Sequence, residues 1–294
     1  YRDAEVELLL ENEILTIKFE SGKSISKSEI ATLPAENFFS QQEHEFTDTV
    51  SFNIMDLKTA IDKTAFCIYS NETRYNINGL LFDFKKENGV KIVSTDGHRL
   101  AHFFIQDETV SQDAKITIPR RIVNEIPQIL QNASETIKFS FIQGKVLKVD
   151  FGDISLTTKL IDAIFPDYER VIPEHSNITP ILVNKKDFTN ALDIVKAAVK
   201  TSSEVGVSLK FQNETLELQT RIDAQKKKNT SSFVCESGVD IALRGNIQYF
   251  TEITHKLQSD AFAIFVKNPN APMVLKENKN GDERFFYVMM PMQA

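Results

Sequence analysis

The chain has 294 residues, 41% hydrophobic and 26% charged, with a formal net charge of -7. At roughly 100–200 residues per domain the length points to two or three domains with cores of their own, and the composition excludes wholesale disorder. No apolar run approaches the ~18 residues of a membrane helix, the opening Tyr1-Arg2-Asp3 reads as no signal peptide, and the acidic balance argues against gripping nucleic acid over the whole surface while leaving room for a local basic patch.

In chain order, Val6 to Leu10 and Ile14 to Phe19 alternate apolar and polar residues across a short turn, which predicts a hairpin already in mid-flow. Ala31-Thr32-Leu33-Pro34 follows. Residues 56 to 68 place Leu57, Ala60, Ile61, Thr64, Ala65 and Ile68 at helical spacing behind Asp56 as the expected N-cap. Strands are predicted at Ile77 to Phe84, Lys91 to Ser94 and Ile116 to Ile118. A helix over about 120–132 carries Ile122, Val123, Ile126 and Ile129, and Pro127 should kink or shorten it. A second hairpin, Ile137 to Phe141 with Val146 to Phe151, leads to Ala163-Ile164-Phe165-Pro166.

The pattern then starts again. Phe188, Ala191, Leu192, Val195 and Val199 form a helix behind Asp187, followed by strands at Val205 to Phe211, Leu216 to Thr220 and Asp240 to Leu243. Lys226-Lys227-Lys228 reads as a solvated loop tip between strands. A helix at 246–258 with Ile247, Phe250, Ile253 and Leu257 precedes the terminal Met289-Met290-Pro291. Strand, helix, four or so strands, helix and further strands thus recur at about 130 residues. The fold class is α+β. Residues 45–175 and 176–294 are whole copies and 1–44 the back half of one, so the front half of the first copy is expected to lie outside this chain.

Candidate chemistry is sparse. Cys67 and Cys235 cannot make a CxxC site and read as buried free thiols of a reducing cytoplasm. Asp96-Gly97-His98-Arg99 supports two readings: an acid/base pair with an anion-holding arginine, or a tight Asp-Gly turn whose polar residues satisfy it. No nucleophile context, metal spacing or phosphate loop accompanies it, and His44, His102, His175 and His255 are scattered singly. Met289, Met290 and Met292 are core or an adaptable apolar groove. Arg120 and Arg121, with Lys185, Lys186, Lys196 and Lys200, make two helical stretches net positive: solvated faces, or a surface that meets phosphates.

Four segments, Asn71-Glu-Thr-Arg-Tyr-Asn-Ile-Asn-Gly79, Ser94-Thr-Asp-Gly-His-Arg-Leu-Ala101, Phe165-Pro-Asp-Tyr-Glu-Arg-Val-Ile-Pro173 and Tyr287-Val-Met-Met-Pro-Met292, carry a resemblance over essentially the whole chain. In this order, on this repeat, the sequence resembles the bacterial DNA polymerase III β subunit family, the sliding clamps. The resemblance implies three clamp domains per full protomer, each with two helices packed on antiparallel sheets, and a head-to-tail homodimer ring around duplex DNA. It implies a cytoplasmic processivity factor of DNA replication with no catalysis, no cofactor and no metal.

It also implies a peptide pocket for the replicative polymerase, the clamp loader and other partners. Its residues are Arg74, Ile77, Thr95, Gly97, His98, Arg99, Leu100, Pro166, Arg170, Val171, Val288, Met289, Met290, Pro291 and Met292, with Asn246 and Tyr249 at the rim. Asn71, Tyr75, Arg120 and Arg121 match DNA-contacting positions. Asn76, where the family often has an aromatic, and Gln293, where its tail is commonly basic, depart from the pattern. Two rival readings are an enzyme centred on Asp96, His98 and Arg99, and a β-rich repeat used purely for assembly.

Overall fold

The computed structural model describes residues 5–22, 24–37, 44–129, 136–197, 206–222, 227–277 and 283–292. Contact density divides the chain into two bodies, Tyr1–Glu45 and Phe46–Ala294. The first is an antiparallel meander of β1 (Glu5–Glu11), β2 (Ile14–Ser21) and β3 (Ser24–Ala31). The expected hairpin is there, closed by Asn12 and Glu13, both at positive φ (50° and 62°). A two-residue turn needs this conformation to follow the strand twist, and Asn tolerates it well. Asn213-Glu214 repeats the device at φ 51° and 56°.

The second body runs through one series of elements twice. The first pass is β4 (Asp48–Asn53), α1 (Ile54–Thr64), β5 (Gly79–Lys85), β6 (Gly89–Thr95), β7 (Arg99–Gln106), β8 (Ala114–Pro119), α2 (Arg120–Ile129), β9 (Thr136–Ile142), β10 (Val146–Phe151) and β11 (Ile154–Lys159). The second is β12 (Ile181–Asn184), α3 (Lys185–Lys196), β13 (Gly206–Gln212), β14 (Thr215–Ile222), β15 (Lys227–Val234), β16 (Ile241–Asn246), α4 (Ile247–Lys256), β17 (Ala261–Phe265), β18 (Met273–Glu277) and β19 (Phe285–Met289). The repeating order of strand, helix, four strands, helix and further strands is therefore observed, with β7, β15, β17 and β18 as strands that the sequence reading did not place individually.

Local chemistry explains where the helices begin, and it corrects the expected caps. Asn53 and Asn184, not Asp56 and Asp187, cap α1 and α3. Asn53 Oδ1 accepts the Met55 and Asp56 N–H at 2.8 and 3.3 Å, and Asn184 Oδ1 accepts the Asp187 N–H at 3.1 Å. The aspartates sit one turn in, where a carboxylate favours the positive end of the helix dipole. Pro127 lies inside α2, which is described to Ile129; the expected continuation to 132 lies outside the described residues, as do Val199, Lys200 and Val205. The lysine run is also corrected. Lys227 and Lys228 open β15 opposite Ile222 and Arg221, and Lys226 is outside the described residues. Among the described residues, no helix is long and apolar enough to cross a membrane.

The helices of each pass pack on each other and on the sheets. In the first, Phe52, Phe82, Phe84, Phe139 and Phe141 interlock, with Phe52–Phe139 and Phe84–Phe141 centroids 5.0 Å apart. In the second, Phe188 meets Phe250 and Phe262 edge-on at 5.6 and 5.3 Å. Burying each such ring contributes about 1.5–3 kcal/mol, and both clusters belong to one continuous core. Cys67 and Cys235 are buried free thiols, and burial pushes the Cys67 thiol well up.

The two passes fuse through a single eight-stranded antiparallel sheet, β12-β17-β18-β19-β7-β6-β5-β8. Its seam is β19 against β7, with Val288 opposite Leu100 and Phe286 opposite His102. His102, which the sequence left without a role, is buried and stacks on Phe286 with ring centroids 4.3 Å apart. Burial first, and the Lys91 ammonium second, lower its pKa from 6.5 to about 4. An unfolded histidine takes up a proton near pH 6.5 that the native ring refuses, so stability is complete above that pH and declines as pH falls from 6.5 towards 4. The loss is on the order of 3 kcal/mol. His102→Gln should flatten this part of the stability–pH curve in urea titrations between pH 4 and 7.

Candidate functional site

Beside the seam lies an apolar groove enclosing about 260 Å³. Its floor follows from strand pairing. Leu100 and Val288 stand opposite each other on β7 and β19, and with Ile77, Leu81, Val93, Phe165, Tyr168 and Val274 they form a second, smaller core under the groove. One wall is the segment Pro166 to Val171, where residues 168–171 make a 3-10 turn. Val171 and Met290 leave the rim 48% and 43% exposed, which large apolar side chains tolerate best where something packs on them.

The other wall is the turn between β6 and β7. Asp96 Oδ1 accepts the N–H of His98 and Arg99 at 2.9 and 3.1 Å, and Gly97 donates to Thr95 Oγ1 at 3.0 Å. Gly97 has φ +91°, so the backbone conformation favours glycine; a Cβ there would lie 2.7 Å from Arg74 Nη1, the end of a flexible side chain that can move aside. Across the seam, the Met290 N–H donates to His98 O at 2.9 Å, which joins the chain end to this turn.

Eleven of the expected pocket residues line the groove: Arg74, Ile77, Thr95, Gly97, His98, Arg99, Leu100, Pro166, Val171, Val288 and Met290. The others do not. Met289 is fully buried on the opposite face of β19, as the two-residue period of a strand requires, with its Cε beside Gly245. Arg170 turns out to pair with Asp167 at 2.7 Å. Asn246 is spent capping α4, its Oδ1 accepting the Gln248 N–H at 2.8 Å. Tyr249 lies under the Arg99 guanidinium at 4.1 Å. Pro291 and Met292 continue past the groove, the Met292 N–H donating to Arg244 O at 2.8 Å. Asn76, expected at the pocket edge, lines the groove, and so do Asp167 and Tyr168, which were not expected there. Both stand inside the Phe165–Pro173 segment, and its part in the resemblance was the available signal.

Arg99 differs from its expected role. Its Nε donates to Asp96 Oδ2 at 2.9 Å, Nη1 to Glu252 Oε2 at 2.5 Å and Nη2 to Phe66 O at 3.2 Å. It is a brace rather than a free donor. Asp96, engaged by two backbone amides and this guanidinium, offers no carboxylate to the His98 imidazole, so the acid/base pair of the rival enzyme reading is not assembled. Among the described residues no group of His, Cys, Asp or Glu has the geometry to hold a metal.

The four residues matched to DNA contacts lie on two abutting elements. Asn71 opens the 3-10 segment Glu72–Ile77 and accepts the Thr73 N–H at 3.2 Å. Tyr75, on the same segment, is exposed. Arg120 begins α2, its N–H donating to Asn78 O at 3.1 Å and its Nη1 to Ser70 O at 3.4 Å; Arg121 beside it is exposed. The loop and the helix start thus form one basic-polar surface.

Solved structures identify the fold as that of the DNA polymerase sliding clamps. The clamp of Pseudomonas aeruginosa, solved with ligand, matches at a TM-score of 0.89 with 23% identity, over 99% of this chain and 77% of that one. Caulobacter crescentus pol III beta matches at 0.89 with 25% identity and the same coverage. In sequence, the Beta sliding clamp of Pseudomonas putida is 25% identical over 292 residues, which is 99% of this chain and 77% of the relative. Family profiles described as the DNA polymerase III beta subunit central domain and C-terminal domain match residues 52–167 and 169–293. The chain belongs to the DNA polymerase III β subunit family, and its function is that of a DNA sliding clamp, a processivity factor of replication.

Proposed function

We propose that the clamp works without catalysis of its own, as a head-to-tail homodimer ring around duplex DNA whose groove captures extended peptides of replication proteins. Its domains are 1–44, 45–175 and 176–294. The observation that carries the peptide reading is the open apolar groove over Leu100 and Val288, rimmed by Met290, Val171, His98 and Arg74. A narrow channel of branched and thioether side chains suits leucine or phenylalanine anchors. Its docked partners are the replicative polymerase, the clamp loader and other proteins carrying the clamp motif, and its work is done at the chromosome, in the cytoplasm.

The ring reading rests on a pairing rule inside the molecule. The last strand of one repeat, β19, adds to β7, the third of the four strands β5 to β8 between the helices of the preceding repeat. Applied between copies, the rule pairs β3 of one protomer with β15 of the next. Both are edge strands among the described residues, and unpaired edges seek strand partners. Such a heterologous contact closes into a ring when its rotation permits. Asn71, Tyr75, Arg120 and Arg121 would then meet phosphates weakly and without sequence preference, as sliding requires.

Two experiments test this. The protein should be retained on nicked circular DNA in gel filtration after loading and lost on linearisation; equal retention on both forms would refute encirclement. The variant His98→Ala/Met290→Ala should bind a synthetic Gln-Leu-Ser-Leu-Phe peptide with about 10- to 100-fold lower affinity. Affinity within twofold of the parent would remove the groove assignment.

A further inference from the structure

Arg99 is held by two carboxylates from different repeats: Asp96, beside it in the β6–β7 turn, and Glu252, in α4. The guanidinium side chain is only 8% exposed, Asp96 15% and Glu252 31%. A single carboxylate already neutralises the arginine, and a buried ion pair is a poor source of stability against its desolvation cost. The second carboxylate therefore adds something other than charge balance. It adds direction. With Nε on Asp96, Nη2 on Phe66 O and Nη1 on Glu252, the planar guanidinium has three acceptors at three angles and a tyrosine ring against its face. A fixed fork of this kind cannot rotate without breaking a charged hydrogen bond. Glu252 is itself oriented, its other oxygen accepting from Gln248 Nε2 at 2.8 Å.

We propose that Glu252 is a positioning residue of the groove. It lines no part of the cavity. Acting through Arg99, it locks Asp96, and with it the backbone of Gly97 and His98 that forms one groove wall. Peptide affinity is thereby tied to helix α4 of the neighbouring repeat. The affinity part of this inference rests on the groove being a peptide site; the effect on the wall does not.

The test uses the full chain. Glu252→Gln keeps the side-chain shape and removes the charge. It is expected to weaken a fluorescein-labelled Gln-Leu-Ser-Leu-Phe peptide by about tenfold in fluorescence anisotropy at a temperature where circular dichroism shows the variant fully folded. In an Arg99→Lys background, where the three-way fork is already lost, the same change should cost nothing further. Hydrogen exchange of segment 95–100 should quicken in Glu252→Gln, with or without peptide. An equal loss in both backgrounds would show that Glu252 acts independently of Arg99 and overturn the proposal. So would unchanged exchange in that segment. If the parent chain fails to bind the peptide, the groove reading falls, and the exchange measurement still decides the role of Glu252.

Discussion

Glu277→Ala should destabilise the second body by about 3–5 kcal/mol, because it leaves the Lys63 ammonium buried without its counter-charge. Lys63 on α1 and Glu277 on β18 form an ion pair whose side chains are 4% and 10% exposed. The ammonium also donates to Lys256 O at 3.2 Å and lies 5.0 Å from the Phe285 ring centroid, while Glu277 accepts the Gln258 N–H at 2.9 Å. Around it, Lys256 pairs with Asp62 at 2.5 Å and Arg284 with Asp56 at 3.0 Å. Those outer pairs are more exposed and are worth less than about 1 kcal/mol each. Adding Lys63→Met should recover most of the loss, since an apolar stem replaces the orphaned charge. The chain has no tryptophan, so urea midpoints are best followed by far-ultraviolet circular dichroism. Coincident midpoints for Glu277→Ala and the double variant would contradict the buried pair.

The second large effect is expected at Asp83, which is 1% exposed beneath the groove wall. The Tyr168 hydroxyl donates to its Oδ2 at 2.8 Å, and Lys85 and Lys115 lie 3.2 and 3.5 Å from its two oxygens. Burial, with the Asp83 hydrogen bond next, pushes the Tyr168 phenol far up, so it stays a donor at any working pH. In Asp83→Ala the lysines can turn to water, as their side chains are 30% and 56% exposed. The buried Tyr168 hydroxyl has no such exit. The cost should be about 1–3 kcal/mol for the orphaned donor, and peptide affinity should fall together with it, because Tyr168 lines the groove. Tyr168→Phe in the same chain should restore stability. A double variant less stable than Asp83→Ala would mean that the hydroxyl finds another acceptor.

Periodicity made the helices and hairpins legible, because a helix face or an alternating strand is written within a dozen neighbouring residues. It misjudged what depends on one hydrogen bond. Asn53 and Asn184 cap their helices three residues before the aspartates that looked like caps, since the amide oxygen must reach an N–H from outside the helix. Among the pocket residues, the sequence located Leu100, Val288 and Met290 but did not separate them from Met289, which strand alternation turns into the core. Arg99 was legible as a site residue and illegible as a brace. Its partner Glu252 lies 153 residues away.

The sequence by itself determined the fold class, the twice-used series of elements and, through the resemblance of four short segments, the clamp family. The element series is set by local period, while the family was legible only as a resemblance carried by those four segments. Only the tertiary structure decided that β7 and β19 share a sheet, that the groove lies beside their seam, and that Lys63 and Glu277, 214 residues apart, pair in the interior. The physical reason is that strand pairing and buried ion pairs are made between distant segments, and nothing in the residues next to either partner names the other.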